Sequence, residues 1–213
     1  MKIIETTIPE VLVIEPKVFG DQRGFFLETF QAKRYADCGI RHPFVQDNLS
    51  RSEFGVVRGL HLQNPNAQGK LVTVLQGTVL DVAVDVRRDS PTFGRHVAVE
   101  LSADNRRQLW VPRGFAHGFA VLSATADFFY KCDEIYSPQD EVVIAWNDPD
   151  LAIDWRIGAP KLSARDSAGR RLREIDRLPD YQELAPPLVP VEPVKQAETA
   201  ADARVPLTRV ALI

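Results

Sequence analysis

The chain has 213 residues, enough for one domain with an appendage, and its 26 basic and 29 acidic residues leave a net charge of −3. This balance argues against a general nucleic-acid or membrane-surface binder, and no apolar run approaches membrane-spanning length. The two cysteines, Cys38 and Cys132, form neither a CxxC pair nor a metal-ligand spacing, and the first residues carry no signal-peptide pattern. We therefore expect a cytoplasmic protein without a nucleic-acid or membrane partner.

In chain order, the predicted elements are mostly short strands separated by glycine- and proline-containing turns. A helix is predicted over residues 31–38, and another begins after Ser163. Strands are predicted over residues 71–75, 78–86, 94–101, 107–111, 117–122, 126–132 and 142–146. The first two, joined by Gln76-Gly77, are expected to form a hairpin. In the second of them, Leu80, Val82, Val84 and Val86 share one face, and Asp81, Ala83 and Asp85 share the other.

The final stretch differs in composition from the body. Beyond Tyr181 there is no aromatic residue, beyond Gly169 no glycine, and prolines recur over residues 186–193. We therefore expect a folded domain over residues 1–182 and a Pro-rich C-terminal tail over residues 183–213, with extended backbone. The tail is either a flexible segment or an arm that packs on a partner, and the sequence leaves both open.

A histidine with two cations nearby suggests acid–base chemistry. Arg58, His61 and Lys70 occupy two consecutive extended segments, and two nearby cations would keep an imidazole neutral, as a general base requires. Arg58 and His61 differ by three positions, so a regular strand would point them to opposite faces, but Gly59 permits a bulge that re-aims one side chain. Lys70 would stay charged beside a carboxylate such as Asp81, and could then stabilise an oxyanion.

Two residues further along the chain could complete such a site. Tyr130 ends a short aromatic run and is either a core aromatic or a general acid. Asp166 follows the predicted strands and is a helix N-cap, a surface carboxylate or the partner that orients His61. The spacing of residues leaves each of these alternatives open.

A second histidine stands in a motif that resembles part of a metal site. His117 lies in Pro112-x-Gly114-x-x-His117, similar to the second half-motif of the cupin barrel, where the histidine binds a metal. The first half-motif needs a His-x-His pair, but the corresponding strand contains only one histidine, His61, followed by Leu62 and Gln63. Two histidines without that pair make a poor metal site, so we expect the barrel without the metal.

Together these segments resemble the dTDP-4-dehydrorhamnose 3,5-epimerase family, a group of metal-free, cupin-like jelly rolls. The resemblance covers about residues 3–180. The segments that carry it are 19–28, 46–50, 57–63, 68–70, 81–85, 90–94, 112–119, 128–131 and 144–148. It implies an all-β, cupin-like jelly-roll β-barrel with short peripheral helices. It also implies an isomerase that needs no cofactor and no metal.

The resemblance further implies a substrate and residue roles. The substrate would be dTDP-4-dehydro-6-deoxy-D-glucose, a dTDP-linked 4-keto-6-deoxyhexose epimerised at C3 and C5 in dTDP-rhamnose biosynthesis. The catalytic residues would be His61 as the base, Asp166 as its partner, Lys70 as the enolate stabiliser and Tyr130 as the acid. The substrate-binding residues would be Arg23, Phe26, Glu28, Gln46, Asn48, Arg58 and His117. Some of these would reach across a homodimer formed through the N-terminal strands.

Other interpretations stay open. An enzyme of the same family that inverts only one carbon would show the same motifs. A metal-dependent cupin enzyme would need more metal ligands, and a non-catalytic sugar-binding barrel would not need Tyr130 and Asp166 together with His61. The family often has an aromatic residue where Ile135 stands, so nucleoside stacking is expected to differ here.

Overall fold

The structure, a computed structural model, describes residues 1–184. Its strands are β1 (Lys2–Glu5), β2 (Leu12–Glu15), β3 (Val18–Asp21), β4 (Gly24–Leu27), β5 (Gln46–Glu53), β6 (Val57–Gln63), β7 (Lys70–Gln76), β8 (Thr78–Asp85), β9 (His96–Ser102), β10 (Gln108–Val111), β11 (Phe115–Val121), β12 (Thr125–Cys132) and β13 (Glu141–Val143). Its helices are α1 (Ala32–Ala36), α2 (Ala164–Ser167) and α3 (Tyr181–Leu184), with 3-10 turns over Pro138–Asp140 and Leu172–Glu174. The expected domain limit at residue 182 falls inside α3, and the rest of the predicted tail lies outside the described residues.

The strands form two large antiparallel sheets and one hairpin. The six-stranded sheet has the order β1-β2-β10-β7-β12-β5, and the five-stranded sheet has the order β13-β6-β11-β8-β9. Strands β3 and β4 pair only with each other among the described residues. Two facing antiparallel sheets whose consecutive strands alternate between them form a jelly roll. The predicted all-β, cupin-like jelly roll with short peripheral helices is therefore confirmed.

Three apolar layers hold the two sheets in place. The layer between the sheets joins residues of both, such as Val72, Phe119 and Phe128. A second layer lies where the five-stranded sheet packs against the C-terminal segment, and it contains Val82 and Trp155. A third covers the six-stranded sheet with α1 and its flanking loops. The central layer fills one part of the space between the sheets, and a cavity occupies another.

The expected hairpin over residues 71–86 is wrong. Strand β7 pairs with β10 and β12, whereas β8 pairs with β11 and β9 in the other sheet. The connecting Gly77 has φ +77°, and a Cβ there would lie 2.0 Å from the carbonyl oxygen of Thr125. The turn is anchored by other loops, since the Gly77 carbonyl accepts from Ala103 N–H and the Thr78 N–H donates to Ser123 Oγ. The chain therefore crosses from one sheet to the other at this glycine.

The other predicted elements are present with small shifts at their ends. The helix over residues 31–38 corresponds to α1, and the helix after Ser163 corresponds to α2, whose N-cap is Ser163. The two predicted faces of β8 are confirmed, because Leu80 and Val82 pack under the C-terminal segment while Ala83 packs between the sheets. No helix within residues 1–184 is long and apolar enough to cross a membrane, and the cytoplasmic location stays a prediction.

Candidate active site

A cavity of about 390 Å³ opens between the two sheets. The six-stranded sheet contributes side chains from β5, β7 and β12, and the five-stranded sheet contributes side chains from β6 and β13. The lining residues are Gln46, Asn48, His61, Leu62, Gln63, Gln68, Lys70, Tyr130, Cys132, Tyr136, Glu141 and Arg165. Polar groups from two separate sheets therefore face one cavity that is open to solvent.

His61 is held by a buried carboxylate. Its Nε2 lies 2.5 Å from Asp166 Oδ1, and the Asp166 side chain is only 4% exposed. Ser163 caps α2 and donates through Oγ to Asp166 Oδ2 at 2.7 Å. Burial raises the pKa of Asp166, but hydrogen bonds from His61 and Ser163 outweigh it and hold that pKa below its usual value. An ionised Asp166 accepts the Nε2–H of His61, which leaves Nδ1 as the nitrogen with a free lone pair.

The expected bulge between Arg58 and His61 is confirmed. On β11, His117 pairs with His61 and Phe119 pairs with Arg58. The two pairs are therefore three residues apart on β6 but only two residues apart on β11. Gly59 stands inside this irregularity with φ +109°, and a Cβ there would lie 2.6 Å from the backbone of the neighbouring strand. Only glycine therefore lets the two strands approach so closely while His61 turns toward the cavity.

Lys70 begins β7 and is buried, with 6% exposure. The expected pairing with Asp81 is wrong: within residues 1–184, Lys70 Nζ makes no ion pair within 4.0 Å and no hydrogen bond, and Asp81 bonds to His117 instead. Burial lowers the pKa of Lys70, against the opposing influence of Cys132 and Glu141 and of the more weakly acting Asp81 and Asp133. Its ammonium group therefore lacks a partner of its own and lines the cavity, where it is available to a ligand oxygen.

His117 lies beneath the cavity and is not one of its lining residues. Its Nε2 is 2.8 Å from Asp81 Oδ1, and its ring stacks on Phe128 with centroids 6.0 Å apart. The second oxygen of Asp81 is buried and has no hydrogen-bond partner among the described residues. Residues 1–184 contain no group of three or more His, Cys, Asp or Glu side chains that could hold a metal ion.

Tyr130 reaches the cavity from the opposite sheet to His61. It lies on β12, where its neighbours are Asn48 on β5 and Val72 on β7. Burial raises the pKa of Tyr130, and the positive charge of Arg58 opposes that increase only in part. Its hydroxyl makes no hydrogen bond to any described residue. A protonated phenol therefore faces the cavity as a free donor.

Of the predicted substrate-binding residues, a first group lines the cavity and a second projects away from it, while Arg58 and His117 belong to neither. Gln46 and Asn48 line the cavity and bond to each other at 3.0 Å. Arg58 lies outside the cavity wall, where its Nε donates to Ser52 Oγ at 3.1 Å. Gln46 and Asn48, the first group, are therefore placed to contact a ligand directly within this one chain.

The second group projects away from the cavity. Arg23 and Phe26 lie on the hairpin β3–β4, where Arg23 pairs with Asp21 and Phe26 is 70% exposed. Glu28 follows β4 and pairs with Arg34. These three residues do not meet the other predicted site residues within this chain, and their assignment to substrate binding stays a prediction.

Sequence reasoning missed an ion pair at the cavity wall. Arg165 Nη1 donates to Glu141 Oε2 at 2.6 Å, and the Tyr136 hydroxyl donates to the same oxygen at 3.3 Å. Arg165 is adjacent in sequence to Asp166, which was a signal that the neighbouring side chain also reaches the site. Glu141 gave no such signal, because it becomes a lining residue only when β13 pairs with β6.

A jelly roll whose cavity combines a histidine–carboxylate pair, a buried lysine and a protonated tyrosine defines a cupin-like enzyme built for proton transfer. A family model described as dTDP-4-dehydrorhamnose 3,5-epimerase matches residues 5–174. The dTDP-4-dehydrorhamnose 3,5-epimerase of Pseudomonas aeruginosa is 52% identical over 181 residues, which span 84% of this chain and 100% of that protein. The chain belongs to the dTDP-4-dehydrorhamnose 3,5-epimerase family.

Solved structures agree with this assignment. The 3,5-epimerase of Legionella pneumophila, crystallised with dTDP-4-keto-L-rhamnose, is 58% identical with a TM-score of 0.84 and covers 85% of this chain and 98% of its own. A 3′-monoepimerase from Streptomyces bikiniensis, in complex with dTDP-quinovose, is 34% identical with a TM-score of 0.78 and covers 84% and 93% of the two chains. Similar structures therefore include both double and single epimerases.

Proposed function

We propose that the protein epimerises dTDP-4-dehydro-6-deoxy-D-glucose at C3 and C5, giving dTDP-4-dehydro-L-rhamnose. The observation that carries this proposal is the placement of His61 and Tyr130 on different sheets, with both side chains lining one cavity. Epimerisation needs a base on one face of a carbon and a proton donor on the other. Few other reactions need such an arrangement.

The C4 carbonyl of the substrate already acidifies the hydrogens on C3 and C5. His61 Nδ1 takes one of these protons, the C–H electron pair moves into the ring, and negative charge develops on the C4 oxygen. Lys70 stabilises this enolate, and one such oxyanion contact is typically worth about 10²–10³ in kcat. Tyr130 then returns a proton to the opposite face of the same carbon, and the C4 carbonyl re-forms. The imidazolium of His61 then releases its proton to solvent and the phenolate of Tyr130 takes one up, so the same groups can act on the second carbon.

The identity of the relatives supports the nucleotide-sugar substrate. The Legionella enzyme was crystallised with dTDP-4-keto-L-rhamnose, which is the product expected here. Gln46 and Asn48 offer amide donors and acceptors at the cavity wall for the diphosphate and sugar hydroxyls. Ile135 is exposed beside this wall, so stacking on the base at this position would be aliphatic.

The decisive experiment is NMR of dTDP-4-dehydro-6-deoxy-D-glucose with the enzyme in D₂O. Deuterium at both C3 and C5, with inversion at both, is the expected result. Incorporation and inversion at only one carbon would identify the single-carbon alternative. The similarity to the 3′-monoepimerase is the reason for testing this alternative. No incorporation at either carbon would contradict the proposal.

Turnover is expected to survive removal of metal ions. The motivation is the missing His-x-His pair of the cupin metal site, since the strand reads His61-Leu62-Gln63. Dialysis against a strong chelator should leave kcat and KM unchanged, measured beside a sample dialysed without chelator. A loss of activity that a divalent metal restores would contradict this prediction.

We infer that the protein acts as a homodimer. Strands β3 and β4 form a hairpin with exposed phenylalanines, of which Phe19 is 53% and Phe25 is 60% exposed. Arg23 and Phe26 on this hairpin lie outside their own cavity, so a second copy is the natural recipient of their contacts. Sedimentation equilibrium gives the mass directly, and a monomer at working concentrations would contradict the inference.

Deletion of residues 185–213 is expected to preserve both the dimer and the activity. The reason lies in the sequence, because this segment has no aromatic residue and is rich in proline. Light scattering and a turnover assay on the truncated and full-length proteins provide the measurement. A truncated protein that became monomeric or inactive would show that the segment is an assembly arm.

A further inference from the structure

A buried carboxylate outside the cavity joins three segments that lead into the site. Asp133 follows the last residue of β12 and its side chain has 0% exposure. Its Oδ1 accepts from the Gly69 N–H at 2.6 Å, and its own N–H donates to the Gly69 carbonyl at 3.1 Å. Its Oδ2 accepts from Arg113 Nε at 3.1 Å, and its carbonyl accepts from Arg113 Nη2 at 3.0 Å. Asp133 therefore hydrogen-bonds to both the N–H and the carbonyl of Gly69.

The surroundings of Gly69 are tightly packed, which restricts movement of the bonded Gly69–Asp133 pair. A Cβ at Gly69 would lie 2.4 Å from the ring of Trp110 and 2.7 Å from Asp133 Oδ2. The next residue is Lys70, whose backbone pairs with Cys132 on one side and Val111 on the other. The hydrogen bonds between Asp133 and Gly69 therefore lie directly before the first residue of β7.

Lys70 depends on its backbone for its position. Its side chain makes no hydrogen bond and no ion pair within residues 1–184. The titratable groups whose charges act on its pKa are Cys132 of β12, Glu141 of β13, Asp81 of β8 and Asp133 itself. With no side-chain partner to hold the ammonium group, its place in the cavity follows from where β7 begins.

We propose that Asp133 is a positioning residue for Lys70, and that it acts by fixing Gly69 so that the lysine meets the developing enolate oxygen. This inference rests on the proposed function, in which Lys70 stabilises that oxygen. Arg113 supports the arrangement because its guanidinium neutralises the carboxylate. Misplacement of a catalytic group by about 1 Å costs on the order of 10² in rate.

The test is a double-mutant cycle between Asp133→Ala and Lys70→Met, with kcat and KM measured for each protein. Asp133→Ala alone is expected to lower kcat about 10²-fold and to change KM less than about threefold, since only the transition-state contact is lost. In the Lys70→Met background, the same substitution should lower kcat less than about threefold, because its effect passes through the lysine. An equal loss in both backgrounds would overturn the proposal.

Two variants separate positioning from general stability. Asp133→Asn keeps an oxygen that can accept the Gly69 N–H, although its amide nitrogen cannot accept from Arg113 Nε, so it should lower kcat clearly less than Asp133→Ala does, and an equal fall would overturn the proposal. Asp148→Ala is a matched control. Asp148 is also buried, accepts from Leu172 N–H at 2.7 Å and from Asp150 N–H at 2.9 Å, and bonds to none of the cavity residues. It should lower the melting temperature and leave kcat unchanged.

Crystal structures of Asp133→Ala and Asp133→Asn test the inference without turnover. The Lys70 ammonium nitrogen should move by about 1 Å or more in the alanine variant and stay in place in the asparagine variant. An unmoved lysine in the alanine variant would overturn the inference even if the protein is an epimerase.

If the wild-type protein fails to epimerise the 4-keto sugar, the proposed function fails, while the crystal structures still decide whether Asp133 positions Lys70. If Asp133→Ala does not fold, Asp133→Ser replaces it in both experiments, since its shorter side chain also leaves the Gly69 N–H without its acceptor.

Discussion

Replacing His61 with asparagine is expected to nearly abolish hydrogen exchange at both C3 and C5, because one base serves both carbons. A positioned acid–base group is worth about 10²–10⁴ in rate, and a loss at the upper end of this range is expected because, within residues 1–184, His61 is the only imidazole that lines the cavity. Exchange of substrate hydrogen in D₂O, followed by mass spectrometry, measures the abstraction step directly. Exchange within tenfold of wild type would show that His61 is not the base.

Asp166→Asn is the matched comparison for His61→Asn. It leaves the imidazole in place but removes the negative charge 2.5 Å from Nε2 that orients the ring and fixes its tautomer. The base itself remains, so the defect should be milder than that of His61→Asn. Ser163 still caps α2 through the N–H of residue 166, so the fold should be preserved. An Asp166→Asn protein as inactive as His61→Asn would give the carboxylate a more direct role.

Tyr130→Phe is expected to uncouple hydrogen exchange from inversion. The substitution removes the proton donor on the sheet opposite His61 but keeps the ring that packs against Phe128, with centroids 5.9 Å apart. Abstraction by His61 should survive, and the enolate should be reprotonated mainly from the face that it left. Net epimerisation should fall by about 10²–10⁴, the usual worth of a positioned acid. Stability should change little, since the hydroxyl bonds to no residue that the structure describes.

The measurement for Tyr130→Phe is paired. Deuterium incorporation is followed by mass spectrometry, and the configuration of the product is followed by coupling to the downstream reductase. If exchange and inversion fell by the same factor, Tyr130 would act on abstraction or on substrate position instead. If neither fell, Tyr130 would be a core aromatic without a catalytic role.

Much of the site could be predicted because its signals are local. His61, Lys70 and Tyr130 stand on strands whose alternation and turn residues are visible in the sequence, and all three line the same cavity. Gly59 between Arg58 and His61 signalled the bulge that the β6–β11 pairing contains. The resemblance added Asp166, which is 105 residues from His61 and bonds to it at 2.5 Å. Local pattern alone left three alternative roles open for Asp166.

The partner of Asp81 shows where local reasoning ended. The sequence placed Asp81 on one face of β8 together with Ala83, a face that the structure turns toward the space between the sheets, and suggested Lys70 as its partner because the two are close in sequence. In the structure β7 and β8 belong to different sheets, and β11 lies beside β8, so His117 reaches Asp81 instead. Strands that are consecutive in the chain are therefore not always neighbours in a sheet.

The sequence by itself determined most of the strands from residue 71 onward, which residues share each face of β8, and the order of motifs that defines the family. Only the tertiary structure decided that the chain crosses between sheets at Gly77, that Lys70 stands without an ionic partner among the described residues, that Arg165 and Glu141 line the cavity, and that Asp133 bonds to the Gly69 backbone. The physical reason is that alternation of side chains is a property of one strand. Which strand lies beside it, and which buried charges then meet, depends on the packing of the two complete sheets.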